Sequence, residues 1–255
     1  MNGAQVRDFE LAEEALHEAM ALALRHASAG VETERKDDGS PVTVADREID
    51  VLLRDRLCTG DDGWLSEESP DDGARLQRAR VWVVDPLDGT SSFVAGRRDY
   101  SVSIALLVDG QPALGAVGSP ANGVSVVGGP GHGVFVTGAP DWQLTAPRGV
   151  PRLVMSRGEL KHGHARQVAE RAPVQPVGSA AYKLALVAAG FADATWTMWS
   201  KHEWDVAAGA ALVLAAGGEV WLPRGGHLRW NRPRPRFTSF AAAGRGCRAL
   251  AAPLM

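Results

Sequence analysis

Four stretches of this 255-residue chain carry carboxylates in company that suggests chemistry. Glu67 and Glu68 follow the short run Trp64-Leu65-Ser66, and Asp85 and Asp88 lie in Asp85-Pro86-Leu87-Asp88-Gly89-Thr90. Asp46 ends Pro41-Val42-Thr43-Val44-Ala45-Asp46, and Asp205 follows Glu203-Trp204. Hard divalent cations such as Mg²⁺ prefer carboxylate oxygens, and a pair of such ions needs several carboxylates converging from separate segments. Proline and glycine favour a tight loop at 85–90 that can direct both of its aspartates toward one point. Taken singly, each acid also has an ordinary reading, Asp205 as a helix N-cap and Glu67 and Glu68 as surface acids.

The elements that must position these groups follow from hydrophobic spacing. Leu11, Ala15, Ala19 and Leu22 recur at helical intervals, which predicts a long amphipathic helix over 9–27 closed by Gly30. A second helix over 43–57 clusters Ile49, Leu52, Leu53 and Leu57 toward one face and has Asp46 in its first turn. Residues 80–84 read as a buried strand that stops at Asp85-Pro86, with a functional loop beyond it. Strand-length runs at 101–108, 113–119, 124–127 and 133–136, punctuated by Gly and Pro, predict an antiparallel meander. After Pro151 the pattern alternates: strand 152–155, helices 162–171 and 180–189, strand 191–195, helix 204–216, then strands 219–221 and 237–242. The natural division is an α+β half over 1–145, with most of the candidate metal ligands, and an α/β half over 146–255 carrying Asp205.

Composition narrows the class. A 45% hydrophobic content can fill a substantial core at this length. The net charge of −3 provides no general field for a nucleic-acid polymer. One basic cluster, Arg224, Arg229, Arg232, Arg234 and Arg236 with Pro233 and Pro235, reads either as a solvated loop or as a clamp for an anionic small substrate. Cys58 and Cys247 stand far apart, as two reduced thiols of a cytoplasmic protein would. The acidic amino terminus does not read as a signal peptide, and the apolar run 206–216 is well short of the roughly 20 residues a membrane span needs. His162 and His164 are two apart, a spacing that does not put both on one helical face, so they read as surface residues rather than metal ligands.

The string Trp82-Val83-Val84-Asp85-Pro86-Leu87-Asp88-Gly89-Thr90-Ser91-Ser92-Phe93 resembles the signature of the inositol-monophosphatase superfamily. Glu203-Trp204-Asp205-Val206-Ala207-Ala208-Gly209, followed by Ala215-Ala216-Gly217-Gly218, is similar to its second signature, and the order of 41–46 and 66–68 also matches. The resemblance implies an α+β fold, a layered αβαβα sandwich with two or three Mg²⁺ ions where the halves meet. It implies that Glu67, Asp85 and the Leu87 carbonyl hold a first ion, and that Asp85, Asp88 and Asp205 hold a second. A weaker third ion would use Glu67. Thr90, hydrogen-bonded to Asp46, would orient or deprotonate the attacking water, and the amides of Gly89 and Thr90 would receive phosphate oxygens. Lys36 reads either as a neighbour of that site or as a solvated lysine beside Asp37 and Asp38. A homodimer is a further expectation, with the apolar meander as a possible interface.

Substrate expectations come from the second half. Inositol monophosphatases use a glutamate seven residues before the second-signature aspartate to contact inositol hydroxyls, and this chain has Met198 there, whose thioether is a weak acceptor. Gly178-Ser179-Ala180-Ala181-Tyr182-Lys183 and Leu228-Arg229-Trp230-Asn231 instead resemble segments of the 3′(2′),5′-bisphosphate nucleotidases. That resemblance implies that Ser179, Lys183 and Trp230 bind substrate, the lysine at a second phosphate and the indole at a base. Lys183 on a helix surface and Trp230 as a packing residue are the alternative readings. The favoured reaction is hydrolysis of 3′-phosphoadenosine 5′-phosphate to AMP. An inositol 1-phosphate or fructose 1,6-bisphosphate phosphatase is the first alternative, and a non-catalytic binding relative the second.

Overall fold

In the run from Arg80 to Val84, alternate residues enter different layers: Val81 and Val83 join one buried cluster, and Trp82 and Val84 another. That period of two is the mark of a strand covered on both faces. The structure is a computed structural model that describes residues 3–30, 33–35, 41–161 and 164–255. Lys36 and His162 lie outside the described residues.

The first half runs α1 (Gly3–Ala29), β1 (Thr33–Arg35), β2 (Pro41–Thr43), α2 (Val44–Leu57), β3 (Gly63–Ser66), β4 (Arg80–Asp88) and α3 (Thr90–Val94). It ends with the meander β5 (Ser101–Val108), β6 (Gln111–Ser119), β7 (Val124–Gly129) and β8 (Gly133–Thr137). These strands form a six-stranded sheet in the order β3-β4-β5-β6-β7-β8, in which β3 runs parallel to β4 and every other pair is antiparallel. Residues 138–152 have no regular secondary structure. The second half continues with β9 (Leu153–Met155), α4 (Arg157–Leu160), α5 (His164–Ala169), β10 (Val174–Pro176), α6 (Ala180–Ala188), β11 (Ala194–Thr197) and β12 (Lys201–His202). Then come α7 (Glu203–Ala215), β13 (Glu219–Trp221), β14 (Arg236–Phe237), β15 (Phe240–Ala243) and α8 (Arg248–Ala251). Its five-stranded sheet has the order β10-β9-β11-β15-β13, and β12 pairs separately with β14.

The clusters of buried side chains give the layering. Residues of α1 and α2, among them Leu16, Ile49 and Leu53, pack on one face of the first sheet against Trp82, Ile104 and Leu106. On its other face lie α6 and α7, whose Leu184, Val206, Ala208 and Leu212 also meet Val154 and Ala242 of the second sheet. The far face of that sheet carries α5 and α8, through Val168, Ala251 and the Met155 and Trp196 side chains. The result is the expected αβαβα sandwich. The apolar run after Asp205 is the central helix α7, buried from Val206 to Val213 because it is apolar all round. Among the described residues, no helix is long and apolar enough to cross a membrane.

Two expectations shift, and one strand pairing has no sequence signal. The strand beginning at Arg80 does not stop at Asp85-Pro86; β4 continues through Asp88, with a register irregularity between Asp85 and Asp88. The strand expected at 191–195 forms at Ala194–Thr197, because 191–193 turn beneath the end of α6 with amides donating to Leu186 and Arg152 carbonyls. The β1/β2 hairpin pairs Thr33 with Thr43 and Arg35 with Pro41, and its exposed β1 residues carry no burial pattern by which sequence alone would find it.

Candidate metal centre and substrate cavity

Asp85 and Asp88 are three residues apart on β4, a spacing that points side chains to opposite faces of a regular strand. Here Asp85 pairs with Ser103 and Asp88 with Ser101, so three steps on β4 oppose two on β5. The extra residue is a bulge, and it returns the second carboxylate to the side of the first. Gly89 then turns the chain with φ +93°, and a Cβ there would lie 3.2 Å from the Asp99 carbonyl. A left-handed turn packed this closely suits glycine, and α3 starts at the next residue.

The acids are fixed by neighbours that sequence order hides. Asp46 sits at N3 of α2 in a reciprocal cap: Thr43 N donates to its Oδ2 at 2.7 Å. Its other oxygen, Oδ1, lies 3.0 Å from Thr90 Oγ1, which is also 3.0 Å from the Leu87 carbonyl. Asp50, also on α2, accepts from the hydroxyls of Ser66 and Ser69 and so clamps the segment that carries Glu67. Asp88 Oδ2 accepts from Ser179 Oγ at 2.7 Å and from Ala181 N at 2.6 Å, at the start of α6. Asp205 is not the N-cap of α7. That position is His202, whose amide donates to Asp205 Oδ2 at 2.9 Å.

Together these supports bring Glu67, Asp85 and Asp205 so close that one carboxylate oxygen of each lies within 4.8 Å of the others. Two negative charges at that distance repel by about 3 kcal/mol at an effective dielectric constant of about 20. Burial is the first cause that raises the Asp85 carboxyl well above the usual range, with Glu67, Asp88 and Asp205 adding to it. Burial likewise raises Asp88 and Asp46, and pushes Asp205 up to about 6 against the pull of Lys201. Asp85 Oδ1 accepts from Leu87 N at 3.1 Å, whereas Asp85 Oδ2 is buried with no hydrogen-bond partner. An orphaned carboxylate oxygen among other carboxylates needs a cation to offset its desolvation. An all-oxygen donor set suits a hard divalent ion, so the residues present fit Mg²⁺.

A cavity of about 400 Å³ opens from Glu67, Asp88 and Asp205 past Gly89 and Thr90. Lys183, Lys201, Arg157 and Arg97 line the same cavity, together with Glu159. Lys183 is buried, and burial lowers its ammonium to about 8 although Glu159 and Asp88 pull the other way. Lys201 lies with Nζ 3.7 Å from Asp205 Oδ2, and that charge raises its pKa. Arg157 is ion-paired to Asp99, the buried residue whose Oδ2 also accepts from Gly178 N. At the rim stands Trp199, half exposed.

The cavity thus gathers Glu67, Asp88, Gly89, Thr90, Lys183 and Asp205, with Asp85, Leu87 and Asp46 directly behind them. Two expectations are corrected. Ser179 does not line the cavity. It is fully buried, its hydroxyl donates to Asp88 and accepts from Tyr182 N at 2.9 Å as the cap of α6, and so it positions the Asp88 carboxylate. Trp230 is 8% exposed and packs edge-to-face on Phe237, 5.1 Å between centroids, so it is a core residue and offers no face to a ligand. None of the five arginines of the Arg/Pro loop lines this cavity. Arg232 is bound to Glu203 and lies over Phe237, while Arg234 and Arg236 line a separate pocket beyond Glu67. Lys201, Arg157, Arg97 and Trp199 were not singled out from sequence. Only Lys201 carried a signal, standing four residues before Asp205 at the entrance to a helix.

Comparison with known proteins agrees with this geometry. The sequence profile of the inositol monophosphatase family matches residues 5–250. The chain is 36% identical over 222 residues to a 3′-phosphoadenosine 5′-phosphate phosphatase of Mycobacterium bovis, covering 82% of this chain and 78% of that protein. It is 34% identical over 210 residues to the 3′(2′),5′-bisphosphate nucleotidase CysQ of Escherichia coli, covering 79% and 84%. It is also 36% identical over 229 residues to an inositol-1-monophosphatase of Mycobacterium leprae, covering 81% and 77%. Among solved structures, CysQ from Bacteroides thetaiotaomicron superimposes with a TM-score of 0.77 at 26% identity, over 94% of this chain and 98% of that one. With a bulged strand carrying two aspartates, a third acid from the central helix and a fold shared along nearly its whole length, the chain belongs to the inositol monophosphatase family and is a phosphomonoester hydrolase.

Proposed function

We propose that the chain is a Mg²⁺-dependent phosphatase that hydrolyses 3′-phosphoadenosine 5′-phosphate to AMP and phosphate. The observation that carries this reading is the set of cations gathered in the cavity onto which the acids open. Lys183, Lys201 and Arg157 line it together with Glu67, Asp88 and Asp205. Met198 stands where inositol monophosphatases have a glutamate, which removes one strong acceptor for a polyol hydroxyl. A second phosphate needs cations, and the buried Lys183 would bind it in competition with little water.

Glu67, Asp85, Asp88, Asp205 and the Leu87 carbonyl would hold two or three Mg²⁺ ions. When bound, these ions lower the pKa of water and offset charge on the phosphoryl group and the leaving oxygen. Thr90 orients the attacking water. Its one proton is engaged by Asp46 Oδ1 and the Leu87 carbonyl, each 3.0 Å away, which leaves its lone pairs to accept from water. Asp46, itself held by Thr43, keeps that hydroxyl in place. Gly89 and Thr90 border the cavity where the transferred phosphoryl group sits. Lys183 and Lys201 neutralise the second phosphate, and Ser179 holds Asp88 in the geometry that the chemistry requires.

The test is phosphate release with Mg²⁺ present or chelated, comparing kcat/KM for 3′-phosphoadenosine 5′-phosphate, inositol 1-phosphate and fructose 1,6-bisphosphate. The expected result is Mg²⁺-dependent preference for the nucleotide. Preference for either other ester overturns the substrate assignment and retains the phosphatase. The homodimer expected by resemblance has a candidate surface at the edge strand β8, where Phe135 is 66% exposed.

A further inference from the structure

Trp199 is half exposed and brings a large aromatic ring into the lining of the charged cavity. It stands between β11 and β12, and both ends of this short connection are pinned. The Trp199 amide donates to Thr197 Oγ1 at 3.1 Å, and Lys201 pairs with Phe237 on β14. The ring lies against Gly158 of α4 so closely that a Cβ at that position would come within 2.9 Å of both Cη2 and Cζ3. Glycine at 158 is therefore the space that the indole occupies, and the flanking residues Arg157 and Glu159 line the same cavity. This aromatic plate, seated on a glycine, lines the same cavity as Lys183 and Lys201. Trp230, the aromatic residue that the sequence offered for a base, is closed in by Phe237 and Phe240.

We propose that Trp199, seated on Gly158, is the specificity residue on which the planar base of the leaving nucleotide stacks, so that the cavity selects base-bearing phosphate esters over polyol phosphates. The inference rests on the nucleotide reading above and adds to it the residue that recognises the base. Stacking suits this place because every base has a π-face, while Arg157 and the two lysines take the charge.

The experiment measures kcat and KM for 3′-phosphoadenosine 5′-phosphate and for glycerol 2-phosphate, which has no ring, with Mg²⁺ present. Trp199→Ala is expected to lower the ratio of the two kcat/KM values about tenfold, chiefly through the KM of the nucleotide, and Trp199→Phe to restore most of it. Gly158→Ala, which displaces the ring, is expected to lower the same ratio in the wild-type background and to have no further effect beside Trp199→Ala. An unchanged ratio in Trp199→Ala, or an equal effect of Gly158→Ala with and without the indole, overturns the assignment of Trp199 while the nucleotide reading stands. A wild-type enzyme that prefers inositol 1-phosphate overturns both.

Discussion

The Thr90 hydroxyl has one proton and two acceptors, Asp46 Oδ1 and the Leu87 carbonyl, and this arrangement makes it an acceptor toward the cavity. Thr90→Ala removes that acceptor and is expected to reduce kcat by about a hundredfold with little change in KM, while Thr90→Ser retains most of the turnover. Steady-state kinetics on any hydrolysed ester reads this, and an undiminished kcat in Thr90→Ala would remove the hydroxyl from the water-handling step. Asp46, Asp85, Asp88, Thr90 and Asp205 were legible because each lies within a few residues of a motif whose local chemistry is unusual. Trp199 and Arg157 were not, since only the fold brings residues 198–200 and α4 to the same cavity as Asp88, and Lys201 had no more than its spacing from Asp205 to mark it. Ser179 was legible as a residue of interest but not in its role, because a hydroxyl pointing inward at Asp88 and one pointing at substrate read alike in sequence.

At the scale of elements, α6 and α7 are packed face to face with a glycine at the contact, where a Cβ on Gly209 would lie 2.2 Å from Leu184 Cβ. No rotamer change relieves a Cβ-to-Cβ approach, so the helices must separate. Gly209→Ala is therefore expected to cost about 1–3 kcal/mol of stability. Because Lys183 is on one helix and Asp205 on the other, it should also raise the Mg²⁺ concentration needed for half-maximal activity. Urea denaturation and a Mg²⁺ titration measure the two effects, and wild-type values in both would show that the helices are not held at this spacing by Gly209. Most helices and strands were readable because their apolar residues repeat at 3.6 or 2. The bulge in β4 was not, since Asp85-Pro86 carries the marks of a loop and only pairing with β5 keeps the backbone extended. The β1/β2 hairpin was missed for lack of any buried face on β1.

For the whole molecule, the buried acids set how stability responds to pH. Asp205 is raised by burial from 3.8 to about 6, so the folded chain binds its proton more tightly than the unfolded chain. A group raised in this way contributes stability that is fully present below its unfolded pKa and lost as pH rises through the folded value, here between about pH 4 and about pH 6. Asp85 and Asp88 shift in the same direction. The chelated protein is thus expected to melt at a lower temperature at about pH 7 than at about pH 5, and Mg²⁺, which binds the ionised cluster, to reverse the order. Thermal melts in chelator and in Mg²⁺ at the two pH values test this, and a higher Tm at the higher pH in chelator would mean that the cluster is not a store of unpaired charge. The layered fold was legible from the two motifs and the change of pattern after Pro151, yet the proposed two halves share one interior, since α6 and α7 serve both sheets. The irregular stretch 138–152 falls between a half that supplies Glu67, Asp85, Asp88 and Thr90 and a half that supplies Asp205 together with Lys183, Trp199 and Lys201. A recombination crossover within it would exchange one carboxylate of the cluster along with the cationic residues, so an incoming half must bring its own aspartate at the head of the central helix before the acidic cluster is whole again.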